Sequence, residues 1–209
     1  MSLSDFLVQK ATLVLARLLL NPKAVFEDPL RKECTLDEPS ILVVNHTGHL
    51  DGPILKTAFS KEKIHPLAAK DRFDEKGFGF FLRHTGCIPI DRQNPDLTWL
   101  HQSLDILHKD GESVAIFPEG QHGSHRSQLP FHPGVVMLAA LALVPVVMVY
   151  IDGPYTLGRR NARMMVSRPF RLAPPEKGVN SHYIKEQTGV LQARMAELMH
   201  EFIELDDKR

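Results

Sequence analysis

His46 and Asp51 place an imidazole and a carboxylate five positions apart in the run Asn45-His46-Thr47-Gly48-His49-Leu50-Asp51, directly after the apolar residues 41–44. On one continuous helix that spacing puts the two side chains on different faces, so they meet only if the chain bends between them. Gly48 supplies the bend. Asp is a favoured N-cap and Pro is tolerated in a first turn, so a helix is expected to start at residues 51–53, with His46 in the turn before it. In that arrangement Asp51 holds the proton on one ring nitrogen of His46 and leaves the other nitrogen as a general base. Three further segments place polar residues at the end of an apolar run, where α/β sheets bind ligands. They are Lys70, the stretch Gly86-Cys87-Ile88-Pro89-Ile90-Asp91-Arg92, and Phe117-Pro118-Glu119-Gly120.

The elements that must position these groups follow from the apolar pattern. Short apolar runs at 41–44, 66–69, 87–90, 114–117 and 144–151 alternate with helical stretches at 53–59, 95–109 and 133–143, each opened by proline. This alternation predicts an α/β fold: one largely parallel or mixed sheet, flanked by helices on both faces, in a single domain over 1–209. A further strand is expected at 163–167. After Pro174 and Pro175, a last helix carries Ile184, Leu191, Met195, Leu198, Phe202 and Leu205 at core-facing spacing. Residues 1–22 read as an amphipathic helix, with Leu7, Ala11, Val14, Leu15 and Leu18 on one side and Lys10 and Arg17 away from it. Such a helix either rests on a membrane surface or covers the domain's own core. The positive residues interrupting it argue against a signal peptide.

Composition narrows the function classes. With 25 basic and 25 acidic residues the formal charge is zero, which offers no electrostatic footprint for nucleic acid. Cys34 and Cys87 lie 53 positions apart, without metal or redox spacing, and fit a reducing compartment. No apolar run reaches the ~18 residues that span a bilayer.

In order and spacing the four polar segments resemble the glycerolipid acyltransferase family, whose best-known members are lysophosphatidic acid acyltransferases. The likeness spans about residues 40–150: H-x-x-x-x-D at His46 and Asp51, G-x-I-x-x-D-R at Gly86 to Arg92, F-P-E-G at Phe117 to Gly120, and a strand with proline at Val144-Pro145-Val146. The resemblance implies transfer of a fatty acyl group from a thioester, acyl-CoA or acyl carrier protein, to the hydroxyl of a lysophospholipid such as 1-acylglycerol-3-phosphate. His46 would be the base and Asp51 its orienting acid. Glu119 and Gly120 would shape the acceptor site, with a backbone amide near Gly120 receiving the oxyanion, and Lys70 and Arg92 would contact phosphate. No metal and no bound cofactor beyond the acyl donor are implied. The expected place of work is the cytoplasmic face of a membrane, as a peripheral protein.

The chain departs from the family where phosphate is bound. Many members continue F-P-E-G with T-R-S and later carry F-K-x-G; here Gln121-His122-Gly123 and Phe131-His132-Pro133-Gly134 stand instead. Two permanent cations have become histidines. Either His122 becomes charged beside a phosphate or Arg126 reaches in, and a different lipid acceptor stays open. The histidines His46, His49, His122, His125 and His132, with Asp51, also raise a rival reading as a metal-dependent hydrolase. A third reading is a lipid-binding module that has kept the fold.

Overall fold

The computed structural model describes residues 3–91, 96–124, 126–153, 155–156, 158, 162–175 and 178–208. Three runs rich in β-branched and aliphatic residues, β2 (Ile41–Val44), β5 (Ser113–Ile116) and β6 (Val146–Asp152), are buried along their whole length. That is expected of parallel strands covered on both faces. With β1 (Lys23–Phe26), β3 (Ile64–Ala69), β4 (Ile88–Ile90) and β7 (Arg163–Val166) they form a seven-stranded sheet ordered β1-β7-β6-β2-β5-β3-β4. From β6 to β4 the strands run parallel. The antiparallel β6–β7 pairing reverses the direction, and β1 follows β7 in parallel, so the sheet is mixed.

Alternation along these strands feeds two cores. Ile41, Val43, Val114, Ile116 and Met148 face α4 (Thr98–Asp105), α5 (Gly134–Ala142) and α6 (Ser181–Asp207). Leu42, Val44, Val147 and Val149 face α1 (Leu3–Leu19) and α2 (Asp51–Ala58). In α6, Leu191, Met195, Leu198 and Phe202 are buried as the spacing requires, whereas Leu205 remains 39% exposed near the helix end. Asn180 starts α6 by accepting the Tyr183 N–H at 3.0 Å.

Two elements have no counterpart in the sequence reading. Strand β1 is a four-residue edge with no alternating signal, and it exists because it pairs with β7. Helix α3 (Phe78–His84) follows Gly77, and a Cβ at Gly79 would stand 2.0 Å from the Phe73 carbonyl oxygen, so glycine is what lets this turn close on the preceding segment. The helix expected from 95 begins at Thr98, and residues 92–95 lie outside the described set.

Helix α1 faces opposite to the core reading. Ala16 is buried, while Leu7, Val14, Leu15 and Leu18 are 57–61% exposed and Leu3 is 74% exposed. The inward side is mixed, with Val8, Gln9, Thr12, Leu13, Ala16 and Leu19, while Lys10 and Arg17 are exposed along with the leucines; Gln9 Nε2 donates to the His84 carbonyl at 3.2 Å, tying α1 to α3. Among the described residues no helix is long and apolar enough to cross a membrane.

Candidate active site

The loops after β2, β3, β4, β5 and β6 all leave the sheet at the carboxyl ends of its parallel strands, and the candidate residues gather there. Beyond β2, buried Asn45 acts as an extra rung of sheet. Its side chain donates to the Ile151 carbonyl at 3.0 Å and accepts the Ile151 N–H at 2.6 Å, binding the exits of β2 and β6 together. The next residue, His46, therefore starts from a fixed point.

Asp51 is fully buried and receives five donors. Oδ2 accepts from His46 Nδ1 at 2.8 Å, Thr47 N at 2.6 Å and Gly48 N at 2.9 Å. Oδ1 accepts from Thr47 Oγ1 at 2.9 Å and the Tyr155 hydroxyl at 2.7 Å. Because a carboxylate can only accept, the His46 proton sits on Nδ1 and Nε2 carries the lone pair. The expected N-capping role of Asp51 is corrected: Leu50 precedes α2 without a side-chain cap, and the carboxylate folds back over the 46–48 turn. That turn offers two amides, a hydroxyl and an imidazole, more than the first helical turn, where Pro53 has no N–H. Gly48 has a second reason beyond the bend, since a Cβ there would stand 2.8 Å from the Tyr155 oxygen. Burial, and then the charge of Asp51, push the Tyr155 phenol well above its usual range, so it remains a donor.

The His46 carbonyl accepts the Gly123 N–H at 2.7 Å, and the backbone amides of His46 and Leu129 act on the buried Glu119 carboxyl in favour of its charged form. Glu119 is 3% exposed and does not line the cleft; Oε1 has no hydrogen-bond partner among the described residues. Burial raises its pKa to about 7, against the two amides that lower it and with the Asp51 charge raising it further. A carboxyl that binds its proton more tightly in the fold than the ordinary 4.5 stabilises the protein fully below about pH 4.5 and loses that contribution as pH rises through about 7. Glu119→Gln is expected to flatten the pH dependence of unfolding free energy in that window by up to about 3 kcal/mol. Urea titrations of both proteins at pH 5 and 8 check this, and an unchanged slope would remove Glu119 as the titrating group.

His46, His49 and His122 line a cleft of about 1150 Å³ whose wall continues over apolar Leu13, Pro53, Leu67, Phe81, Trp99 and Val135. The His122 ring meets those of His46 and His49 edge-on at 4.2 and 4.4 Å, and Phe117 lies 4.7 Å from His46. Partial burial, then the neighbouring His46 and His49, hold His122 below the usual histidine range. It is thereby a poor stand-in for a permanent cation. Gly120 also lines the cleft. Its φ of +68° favours glycine, and a Cβ there would stand 2.8 Å from His132 Nε2. Its N–H points to the Phe117 carbonyl at 3.1 Å, closing the turn rather than facing the cleft as an oxyanion donor.

The remaining candidate cations lie elsewhere. Lys70 is off the cleft wall, 61% exposed, and pairs with Asp91 at 3.0 Å. Arg92 lies outside the described residues. Arg126 does not reach in: it pairs with Asp206 at 3.2 Å and Asp152 at 3.5 Å, in a cluster that Arg163 shares. No group of three His, Cys, Asp or Glu side chains among the described residues is placed to hold a metal ion, and His125 lies outside that set. Asn45, Thr47 and Tyr155 carry no signal in the sequence that singles them out. Tyr155 stands 104 positions from Asp51, so no local spacing could have pointed to it.

Comparison with known proteins gives the family and the fold. The acyltransferase family model matches residues 23–152. The 1-acyl-sn-glycerol-3-phosphate acyltransferase of Bacillus subtilis is 26% identical over 173 residues, covering 81% of this chain and 85% of the relative. The enzyme of the same name from Streptococcus pneumoniae is 30% identical over 134 residues, 64% of this chain but only 49% of the relative. The crystal structure of the 1-acyl-sn-glycerophosphate acyltransferase PlsC from Thermotoga maritima shares the fold, with a TM-score of 0.57 at 19% identity over 93% of this chain and 77% of that one.

Proposed function

Since this chain belongs to the acyltransferase family, we propose that it esterifies the free hydroxyl of 1-acylglycerol-3-phosphate with an acyl group taken from acyl-CoA or acyl carrier protein. The observation that carries the reading is the 2.8 Å contact between His46 Nδ1 and Asp51, set at a cleft with an apolar wall. An alcohol barely ionises at neutral pH, so its proton must leave as it attacks. His46 Nε2 takes that proton while the hydroxyl oxygen bonds to the thioester carbon. The tetrahedral intermediate then collapses, the C–S bond breaks, and the imidazolium returns the proton to the departing sulfur. Asp51 orients the ring and stabilises the imidazolium between the two transfers. No protein nucleophile is required. Cys87 lines the cleft, but burial raises its pKa, which favours the unreactive thiol.

The names of the relatives support lysophosphatidic acid as acceptor and, with it, a role in phospholipid biosynthesis. Both donors present the same thioester, and no metal or resident cofactor enters the chemistry. The test is thiol release from palmitoyl-CoA or palmitoyl-acyl carrier protein on addition of lysophosphatidic acid. Release that depends on the acceptor is expected; none with any lysophospholipid and either donor would sink the reading.

The outward apolar side of α1 supports peripheral work at a membrane surface, for which we propose the cytoplasmic face. Leu3, Leu7, Val14, Leu15 and Leu18 are exposed on a helix whose Gln9 and Leu13 line the cleft, so lipid could pass from surface to site along it. Replacing Leu7, Leu15 and Leu18 by serine is expected to weaken binding to phosphatidylglycerol vesicles about tenfold per leucine. Flotation assays check this; unchanged flotation would assign the face to another partner.

A further inference from the structure

The proposed acceptor brings a phosphate close to the hydroxyl that His46 must deprotonate, and the side chains packed beside His46 in the cleft, His122 and Phe117, offer that phosphate no permanent cation. We propose that Arg72 binds that phosphate, an assignment that rests on the acceptor named above. Arg72 sits in the 3₁₀ turn Lys70–Asp74 that follows β3 and lines the same cleft as His46, His49 and His122. Its charge is among those acting on His122.

The other described cations on the cleft wall are committed or distant. Arg83 donates to the Phe73 carbonyl at 2.6 Å, Lys56 donates to the Thr85 carbonyl, and Lys10 also has a partner. Lys61 and Lys63 pair with Glu33 and Glu112, where the chain enters β3 and β5 rather than where it leaves them. Arg72 differs. Its ion pair is with Glu75 at 2.7 Å, between side chains 45% and 47% exposed, the kind of surface pair that contributes little and yields readily to a stronger anion. A guanidinium presents a planar fork that matches two phosphate oxygens, which neutral imidazole at His122 does not.

The turn that carries Arg72 is held at Phe73, which is buried, with Arg83 on its carbonyl and Gly79 in close approach. A rigid base under a half-exposed guanidinium suits a head-group contact, because only one side chain must be ordered on binding.

Arg72→Gln and Arg72→Lys are tested in two ways: steady-state thiol release from palmitoyl-CoA with varied lysophosphatidic acid, and calorimetric binding of the same lipid below its critical micelle concentration. Arg72→Gln is expected to raise KM and Kd about 10- to 100-fold with kcat within about twofold, and Arg72→Lys to recover part of the loss. Equal KM and Kd in Arg72→Gln and wild type would overturn the proposal. If wild type binds the lipid without acylating it, the acyl-transfer reading fails and the binding ratio alone decides for or against Arg72. A wild type that neither binds nor acylates the lipid overturns both.

Discussion

His46→Ala is expected to reduce thiol release by about 10³-fold or more while leaving the protein folded. The size follows from the chemistry: a positioned base typically contributes about 10²–10⁴-fold, and loss of the imidazole also removes the proton donor to the leaving sulfur. The fold should survive because little of it rests on this side chain. The backbone at position 46 is held through its carbonyl by the Gly123 N–H, and the preceding Asn45 is fixed to Ile151, neither of which depends on the ring. Asp51 keeps its four other donors. The vacated space opens to the cleft and fills with water instead of becoming a sealed cavity. Acceptor-dependent thiol release and a thermal melt check both halves. A loss under tenfold would show that another group takes the proton, and His122, whose ring is 4.2 Å away, would be the next residue to replace.

Asp51→Asn is the second large effect, an expected loss of about 10²–10⁴-fold in turnover with the fold retained. The five donors around Asp51 show how an amide can fit. With its carbonyl oxygen in the Oδ2 position, the introduced amide still accepts from His46 Nδ1, Thr47 N and Gly48 N. Its NH₂ then faces the Thr47 and Tyr155 hydroxyls, which can rotate to accept. The tautomer of His46 is preserved, so the missing element is the negative charge that stabilises the imidazolium. The loss should therefore appear in kcat more than in KM. Near-normal kcat would remove Asp51 from the mechanism, and gross unfolding would show that the amide cannot take this orientation.

Much of the architecture is legible from residue order. Runs such as ILVV and VVMVYID are short, apolar and rich in β-branched residues, as covered strands are, and the helical stretches between them fit parallel crossovers with helices on both faces. Less is visible where a partner far along the chain decides the outcome. Strand β1 depends on β7, 140 positions later, and nothing in Lys-Ala-Val-Phe announces it. For α1 the helical period is readable, but which side turns inward is decided by what α2 and α3 present to it. Those helices take a mixed side with Val8, Gln9, Leu13 and Ala16, through contacts such as Gln9 to the His84 carbonyl, and leave Leu7, Leu15 and Leu18 outside.

The site divides in the same way. By itself the sequence determined that His46 and Asp51 can meet, because a glycine-containing bend between a strand and a proline-opened helix is a local property of a few residues. Only the tertiary structure decided what surrounds them. Five donors converge on Asp51, one of them from Tyr155, and Glu119 lies beneath the His46 backbone instead of on the cleft wall. Arg126 is turned away to Asp152 and Asp206, and Lys70 to Asp91. The physical reason is that spacing along the chain governs which neighbours can touch, whereas the direction and partner of a long charged side chain depend on opposite charges brought beside it by strands distant in sequence.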